Sequence, residues 1–309
     1  MTNSSSSNKP QISIYSSAHR PQNWMGLYKS IGENDVSFEM VFVGPNEPDF
    51  DLPPNFRFIK SMVKPTQCFE AAVRNARADL ILEIYDDIEF KTPRPLDKLY
   101  SLYKSYKNSK MILSCRFVRD GIDMHTEQHF FGSKDPSSPL LAMCPFMSKK
   151  LYLDIGGKDK NFIAVMSDID ITMRVLALGG EVVLSDVYVE EVMKKRSGST
   201  LCSDNWGHDR TLLENLWVVD GKVNLNRARP VEPFSDYKIL EQSQGPRGKW
   251  RGNSPLIFEK LVDSARQIKR IRIRRSFLNA YRVITNFRKY PEYAKRLARP
   301  LRSAVNVFK

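Results

Sequence analysis

The chain has 309 residues, of which 41% are hydrophobic and 27% are charged, and its formal net charge at pH 7 is +13. These proportions are close to those of soluble globular proteins and exclude a collagen-like repeat, a coiled coil and a wholly disordered chain. The length allows one large α/β domain with an appendage. The longest apolar runs, such as residues 79–85, are far shorter than the roughly 18 residues of a membrane-spanning helix.

The positive charge is concentrated at the C-terminal end. Residues 266–309 contain 14 Lys or Arg and a single acid, Glu292. Since the whole chain has 48 basic and 35 acidic residues, residues 1–265 hold 34 of each and are neutral. We therefore expect the tail alone to be attracted to phosphate groups, either of nucleic acid or of anionic lipid.

Cysteine spacing and the start of the chain predict a cellular location. The four cysteines are widely separated and form no CxxC pair, a pattern that fits a reducing compartment better than a disulfide framework or a zinc site. The first residues show no basic segment followed by an apolar one, as a secretory signal would. Together these features predict a cytoplasmic protein.

Strand-like and helix-like segments alternate along residues 10–220. Polar–apolar alternation and short apolar runs predict strands at 11–16, 38–43, 56–59, 79–85, 111–118 and 181–189. Apolar residues at helical spacing predict helices at 24–31, 67–78, 96–106, 149–155 and 168–178. This alternation is typical of parallel βαβ units. Ligands of such sheets bind at the carboxyl ends of the strands, so the loops at 16–21, 44–46 and 85–89 are predicted to share one site.

The chain divides into four predicted segments. They are a disordered Ser/Asn-rich start at 1–9, an α/β domain at 10–220, an extended linker at 221–255 and a basic helical tail at 256–309. Over 256–287, arginines alternate with apolar residues at helical spacing, and such a helix can lie in the headgroup plane of an anionic membrane. The alternative is a helix that packs on the domain and leaves its arginines solvated.

Two pairs of acids are the strongest candidates for chemistry. Asp86 and Asp87 directly follow the buried strand predicted at 79–85. Their carboxylate oxygens suit Mg2+ or Mn2+, which in turn bridge diphosphate oxygens. The alternative is a solvated turn that ends the strand. Asp168 and Asp170 lie at the start of a predicted helix, where acids are commonly caps or dipole partners.

Six segments of residues 12–189 occur in an order that matches one known family of proteins. The strand-and-loop segments ISIYSSAHRP and EMVFVGPN resemble the first two strands of that family, and KPTQCFEAAVRNARAD resembles its next helix. LILEIYDDIEF resembles the strand with the DxD-type metal motif, and CPFMSKKLYLDIGGKDKNF the segment with a Gly-Gly-x-Asp turn at the acceptor side. SDIDITMRVLALGGEV is similar to the acidic motif. In these segments the chain resembles the family 2 glycosyltransferases. The resemblance implies a GT-A fold, a Rossmann-like, mostly parallel sheet flanked by helices.

The sequence departs from the family pattern at four places. Gly44-Pro45-Asn46 stands where an aspartate usually contacts the nucleotide, and the DxD-like site has two adjacent acids. Ser167 replaces a common glutamate, and Glu190-Glu191 occupies the region where a histidine often helps to hold the metal.

The resemblance implies an inverting, metal-dependent glycosyltransferase. A sugar would move from a nucleotide-diphosphate donor to a hydroxyl of a glycan or lipid-linked acceptor. Asp87 would hold Mn2+ or Mg2+, and Asp168 would be the general base that activates the hydroxyl, with Asp170 as the alternative. The residues implied for nucleotide binding are Ser17, Ala18, Arg20, Asn46, Arg74 and Asp86. For Arg74, a solvated helix arginine is the alternative.

A competing hypothesis is a non-catalytic protein with a GT-A-like body, whose basic tail binds nucleic acid or an anionic membrane. The tail has no recognisable helix-turn-helix or zinc module, which disfavours nucleic acid as the partner. A cytoplasmic protein with a lipid-linked acceptor would instead use the tail at the inner face of the membrane.

Overall fold

The structure is a computed structural model that describes residues 9–127, 139–192, 200–227 and 231. The basic tail predicted at 256–309 lies outside these residues, as do most of the linker predicted at 221–255 and the first eight residues of the start predicted to be disordered. No helix in the described part of the chain is both long and apolar enough to cross a bilayer.

Eleven strands and seven helices occur in the described residues. The strands are β1 (Ile12–Ser17), β2 (Phe38–Gly44), β3 (Phe56–Lys60), β4 (Leu80–Glu83), β5 (Ile88–Phe90), β6 (Met111–Arg119), β7 (Ile122–Asp123), β8 (Phe146–Ser148), β9 (Glu181–Glu191), β10 (Val218–Val219) and β11 (Lys222–Val223). The helices are α1 (Pro21–Ile31), α2 (Pro65–Asn75), α3 (Pro95–Ser105), α4 (Met124–Glu127), α5 (Lys149–Asp154), α6 (Ser167–Ala177) and α7 (Thr200–Trp217). The predicted α/β class is therefore confirmed.

The main sheet has the strand order β3-β2-β1-β4-β8-β6-β9-β5. Its first four strands are parallel, with Ile12 of β1 in register with Phe38 of β2 and Leu80 of β4. The strands β6 and β9 are also parallel, whereas β8 and β5 run against their neighbours. The parallel half directs the loops after β1, β2 and β4 to one edge of the sheet, as the βαβ pattern predicts.

Helices cover both faces of this sheet. Trp24 of α1 and Leu99 of α3 pack into one apolar layer, and Trp24 contacts the ring of Phe42 edge to face at 5.4 Å. Helices α2, α5 and α6 pack into the layer on the other face. Proline is the first residue of α1, α2 and α3, where its fixed φ favours a helix start and its missing N–H has no cost.

Candidate functional site

Asp86 anchors the turn that follows β1. One of its carboxylate oxygens accepts hydrogen bonds from the backbone N–H groups of His19 and Arg20, at 2.5 and 2.6 Å. The other oxygen accepts a hydrogen bond from Nη1 of Arg20 at 2.5 Å. Asp86 is 3% exposed, so these charge-assisted bonds lie in a partly desolvated environment where they are strong. The carboxylate therefore fixes the shape of residues 17–20.

The end of β2 packs directly on the same turn. Asn46 donates from Nδ2 to the carbonyl of His19 at 2.7 Å, and the N–H of Ala18 donates to the carbonyl of Val43 at 2.8 Å. A Cβ atom on Gly44 would lie 1.7 Å from the Ala18 carbonyl oxygen. Glycine is thus required here by the close approach of the two backbones. The site accordingly has Asn46, and not an acid, as its polar side chain after β2.

The remaining side chains of the turn are mostly buried. Ala18 is fully buried, and its N–H is already bonded to the carbonyl of Val43, so it shapes the turn without exposing a group to a ligand. Ser17 lies at the end of β1, and its Oγ is 3.5 Å from Nε2 of His19. Burial lowers the pKa of His19 below its usual value, although Asp86 acts in the opposite direction. The turn therefore combines a cationic guanidinium with an imidazole whose neutral form is favoured.

Asp87 is a carboxylate whose negative charge is poorly compensated. Its Oδ2 lies 3.1 Å from Nη1 of Arg20, and the residue is 8% exposed. Burial raises its pKa to about 6, with Asp86 and Glu191 adding to the effect and Arg20 opposing it. A bound cation would offset the cost of ionising the buried Asp87, because it favours the ionised form of the carboxylate. Glu191 itself is paired with Nε of Arg119 at 2.5 Å.

The oxygen chemistry of Asp87 fits a divalent cation that a ligand helps to hold. Within the described residues, no group of three or more His, Cys, Asp or Glu is arranged to hold a metal ion. Mg2+ in nucleotide sites usually takes one or two carboxylates and completes its octahedron with phosphate oxygens and water. Asp87 therefore suits a site of that open kind and not a closed structural one.

Asp168 lies beside the loop that carries Asp86 and Asp87. It is in the first turn of α6, and its Oδ2 accepts a hydrogen bond from the hydroxyl of Tyr85 at 2.7 Å. Burial raises the pKa of Tyr85 well above its usual value, and Asp168 raises it further. The phenol thus remains a donor to Asp168.

Asp170 has a different environment from Asp168. Its two oxygens accept hydrogen bonds from Nε of Arg174 at 2.9 Å and from Nε1 of Trp217 at 2.8 Å. All three side chains are buried. Arg174 also donates to the carbonyl of Gly157 at 2.6 Å. This network ties α6 to α7 and to the turn that contains Gly157. Of the two candidate bases, Asp168 is the one whose carboxylate lies against the Asp86-Asp87 loop.

Arg74 is not brought to this cluster. It is in the last turn of α2 and pairs with Oε1 of Glu70 at 2.8 Å. The next residue, Asn75, accepts a hydrogen bond at its carbonyl from Arg57, near the start of β3. The end of α2 therefore lies at the amino edge of the parallel strands, whereas the loops of the site lie at the carboxyl edge.

A buried ion pair next to the site was not predicted. Nζ of Lys158 lies 2.8 and 2.7 Å from the two carboxylate oxygens of Glu83, the last residue of β4. The hydroxyl of Tyr15 also donates to Glu83, at 2.8 Å. Lys158 follows Gly156-Gly157, and in sequence it looks like any solvated lysine of a turn.

Comparisons with known proteins identify the fold. No protein-family model and no curated protein sequence matches this chain. Residues 1–349 of S. aureus TarS, solved in complex with UDP-GlcNAc, match with a TM-score of 0.50 and 15% identity, over 69% of this chain and 68% of that chain. The mannosyltransferase PcManGT from Pyrobaculum calidifontis, solved with GDP-Man and Mn2+, gives a TM-score of 0.49 and 14% identity, over 71% and 67%. At such identity the likeness concerns architecture, and this chain has the GT-A fold.

Proposed function

We propose that this protein is a glycosyltransferase that moves a sugar from a nucleotide-diphosphate donor to a hydroxyl group of a glycan or lipid-linked acceptor. One observation carries the proposal. The turn at 17–20, the Asp86-Asp87 loop and Asp168 are distant in sequence, and direct hydrogen bonds join them at one edge of a GT-A sheet. Carboxylates that can bind a metal ion and a separate candidate base lie at this edge of the sheet. Metal-assisted glycosyl transfer uses both kinds of group.

The donor nucleotide is assigned to the turn after β1. Ser17, Ala18 and Arg20 belong to this turn, Asn46 packs against it, and Asp86 holds it in place. The TarS fragment of the same fold was solved with UDP-GlcNAc, which supports a nucleotide-sugar donor here. Arg20 is already shared between Asp86 and Asp87, so a diphosphate would compete with these carboxylates for its guanidinium.

Asp87 would hold Mn2+ or Mg2+ together with the diphosphate oxygens. When bound, such an ion neutralises negative charge on the leaving diphosphate. The fold keeps Asp87 largely buried beside Arg20 and near Glu191. A cation bound to its oxygens would be stabilised there by the negative charge.

Asp168 would act as the general base. In a single displacement, the acceptor oxygen bonds to the anomeric carbon, the bond from that carbon to the diphosphate oxygen breaks, and the acceptor proton moves to Asp168. Attack from the face opposite the leaving group inverts the anomeric configuration. A positioned base contributes roughly 10²–10⁴-fold to such a rate.

The test is release of nucleoside diphosphate from a panel of nucleotide sugars, with Mn2+ or with EDTA and with soluble glycan acceptors. The wild type should turn over at least one donor. Asp168→Asn should retain donor binding and lose roughly 10²–10⁴-fold in transfer, and Asp87→Ala should lose both turnover and its response to Mn2+. Asp154→Asn is a matched control, since that carboxylate is exposed and pairs with Lys150 on α5. Failure of the wild type on every donor, with binding to DNA or anionic vesicles, would favour the non-catalytic alternative.

A further inference from the structure

Tyr85 connects two parts of the proposed active site that are far apart in sequence. It lies between β4 and Asp86, and its hydroxyl donates to Oδ2 of Asp168, 83 positions away, at 2.7 Å. Its ring packs edge to face on Phe117, with the centroids 5.8 Å apart. The ring is therefore held by the core, while the hydroxyl reaches the carboxylate.

This hydrogen bond is what fixes the side chain of Asp168. The backbone of Asp168 is held by α6, where its carbonyl accepts Oγ1 of Thr172 at 3.0 Å. Its carboxylate makes no ion pair with the described residues, and within them the Tyr85 hydroxyl is its hydrogen-bond donor. Nearby Glu83 carries a like charge, which Lys158 neutralises. Without the phenol, the aspartate could rotate about its side-chain bonds with little to oppose it.

We propose that Tyr85 is a positioning residue for Asp168. By holding Oδ2, it presents the other oxygen, Oδ1, to the acceptor hydroxyl. Because a neutral phenol donates a hydrogen bond and carries no charge, it orients the carboxylate without pairing it with a cation. The same residue begins the Asp86-Asp87 loop, so the orientation of the base is tied to the loop that would meet the donor. This inference rests on the proposed function.

A double-mutant cycle between Tyr85 and Asp168 tests the proposal in the full-length protein. Tyr85→Phe keeps the ring and its contact with Phe117 and removes the hydroxyl. Hydrogen bonds to charged groups are worth enough to predict a fall in kcat for transfer of roughly 10- to 100-fold. The donor Kd, measured with UDP or the active nucleotide sugar, and the donor KM should remain within twofold of the wild type. A residue that is merely structural would change Kd and kcat together.

Tyr152→Phe is the matched control. Tyr152 is another buried tyrosine whose hydroxyl donates to a carboxylate, that of Glu70, and it makes no contact with Asp168. Its phenylalanine variant should keep the wild-type kcat. In the Asp168→Asn background, Tyr85→Phe should have almost no further effect, because the two residues act as one unit.

Three further results would count against the proposal and can be told apart. A kcat for Tyr85→Phe within twofold of the wild type would overturn the positioning role and leave the glycosyltransferase intact. An equal loss in the wild-type and Asp168→Asn backgrounds would show that Tyr85 acts independently of Asp168. No turnover by the wild type itself would overturn the proposed function, and the positioning role with it.

Discussion

Replacing Lys158 by methionine should destabilise the protein strongly, because it leaves a buried carboxylate without its partner. Lys158 and Glu83 have side chains that are 0% and 1% exposed. Glu83 would keep only the Tyr15 hydroxyl as a partner among the described residues. Removal of one member of a fully buried pair typically costs about 3–5 kcal/mol. For a chain of this size, the thermal midpoint should fall by about 10 °C.

The pH dependence of this loss has a definite sign. Burial raises the pKa of Glu83 even with Lys158 present, while Lys158 opposes the shift. Without Lys158 the pKa in the folded state rises further above the unfolded value. The penalty is then complete above the folded-state pKa of Glu83, and it shrinks as pH falls toward the unfolded value, because the buried carboxyl takes up a proton. The variant should therefore approach the wild type at pH 5.

Thermal unfolding monitored by tryptophan fluorescence at pH 5 and pH 8 measures both effects. Lys150→Met is the matched control, since Lys150 and Asp154 form a pair whose side chains are 83% and 55% exposed. That control should change stability by no more than about 0.5 kcal/mol. The double variant Lys158→Met/Glu83→Gln should recover part of the loss. Equal midpoints for Lys158→Met and Lys150→Met, or a deficit that ignores pH, would refute the reasoning.

Three further predictions concern the ligands. The pKa of Asp87 is about 6. The affinity of the protein for Mn2+ in the presence of UDP should therefore be constant above pH 7 and fall roughly tenfold per pH unit below pH 6. Calorimetric titration at several pH values measures this affinity, and an affinity that does not change with pH would contradict the prediction. Asp86→Ala should weaken UDP binding by roughly tenfold or more, because the 17–20 turn loses charge-assisted bonds, whereas Asp79→Ala, a change at a side chain that is 87% exposed, should not. The full-length protein should sediment with anionic vesicles at low salt and be released at high salt. A variant with glutamine at arginines 266, 270, 274 and 275 should sediment much less, and unchanged sedimentation would exclude these four arginines as the membrane contact.

The order of strands and helices could be read from local patterns. A few neighbouring residues are enough to predict a buried strand, because its apolar residues alternate or are continuous. The same is true of the helices that begin at Pro21, Pro65 and Pro95. The three-residue strands β5 and β8 were not predicted. Such short strands have too few residues for a period, and they form because neighbours distant in sequence offer open hydrogen-bonding edges.

The candidate site could be predicted only in part, and Arg74 shows why. The sequence resemblance placed Arg74 with the nucleotide, but its helix runs from the carboxyl edge of the sheet back to the amino edge, and Arg74 is in the final turn. Asp168 and Asp170 look equivalent in sequence, yet only Asp170 is enclosed by Arg174 and Trp217. Trp217 belongs to another helix, so no local pattern could show this difference.

By itself, the sequence determined the α/β class, the presence of a buried strand shortly before Asp86-Asp87 and the difference in charge between a neutral body and a basic tail. These properties follow from period, composition and charge, which are local or additive along the chain. The tertiary structure decided that Asp86 anchors the 17–20 turn, that Tyr85 holds Asp168 and that Lys158 neutralises Glu83. Each of these depends on a side chain that meets a group 66 or more positions away, and such meetings are fixed only when strands pair and helices pack.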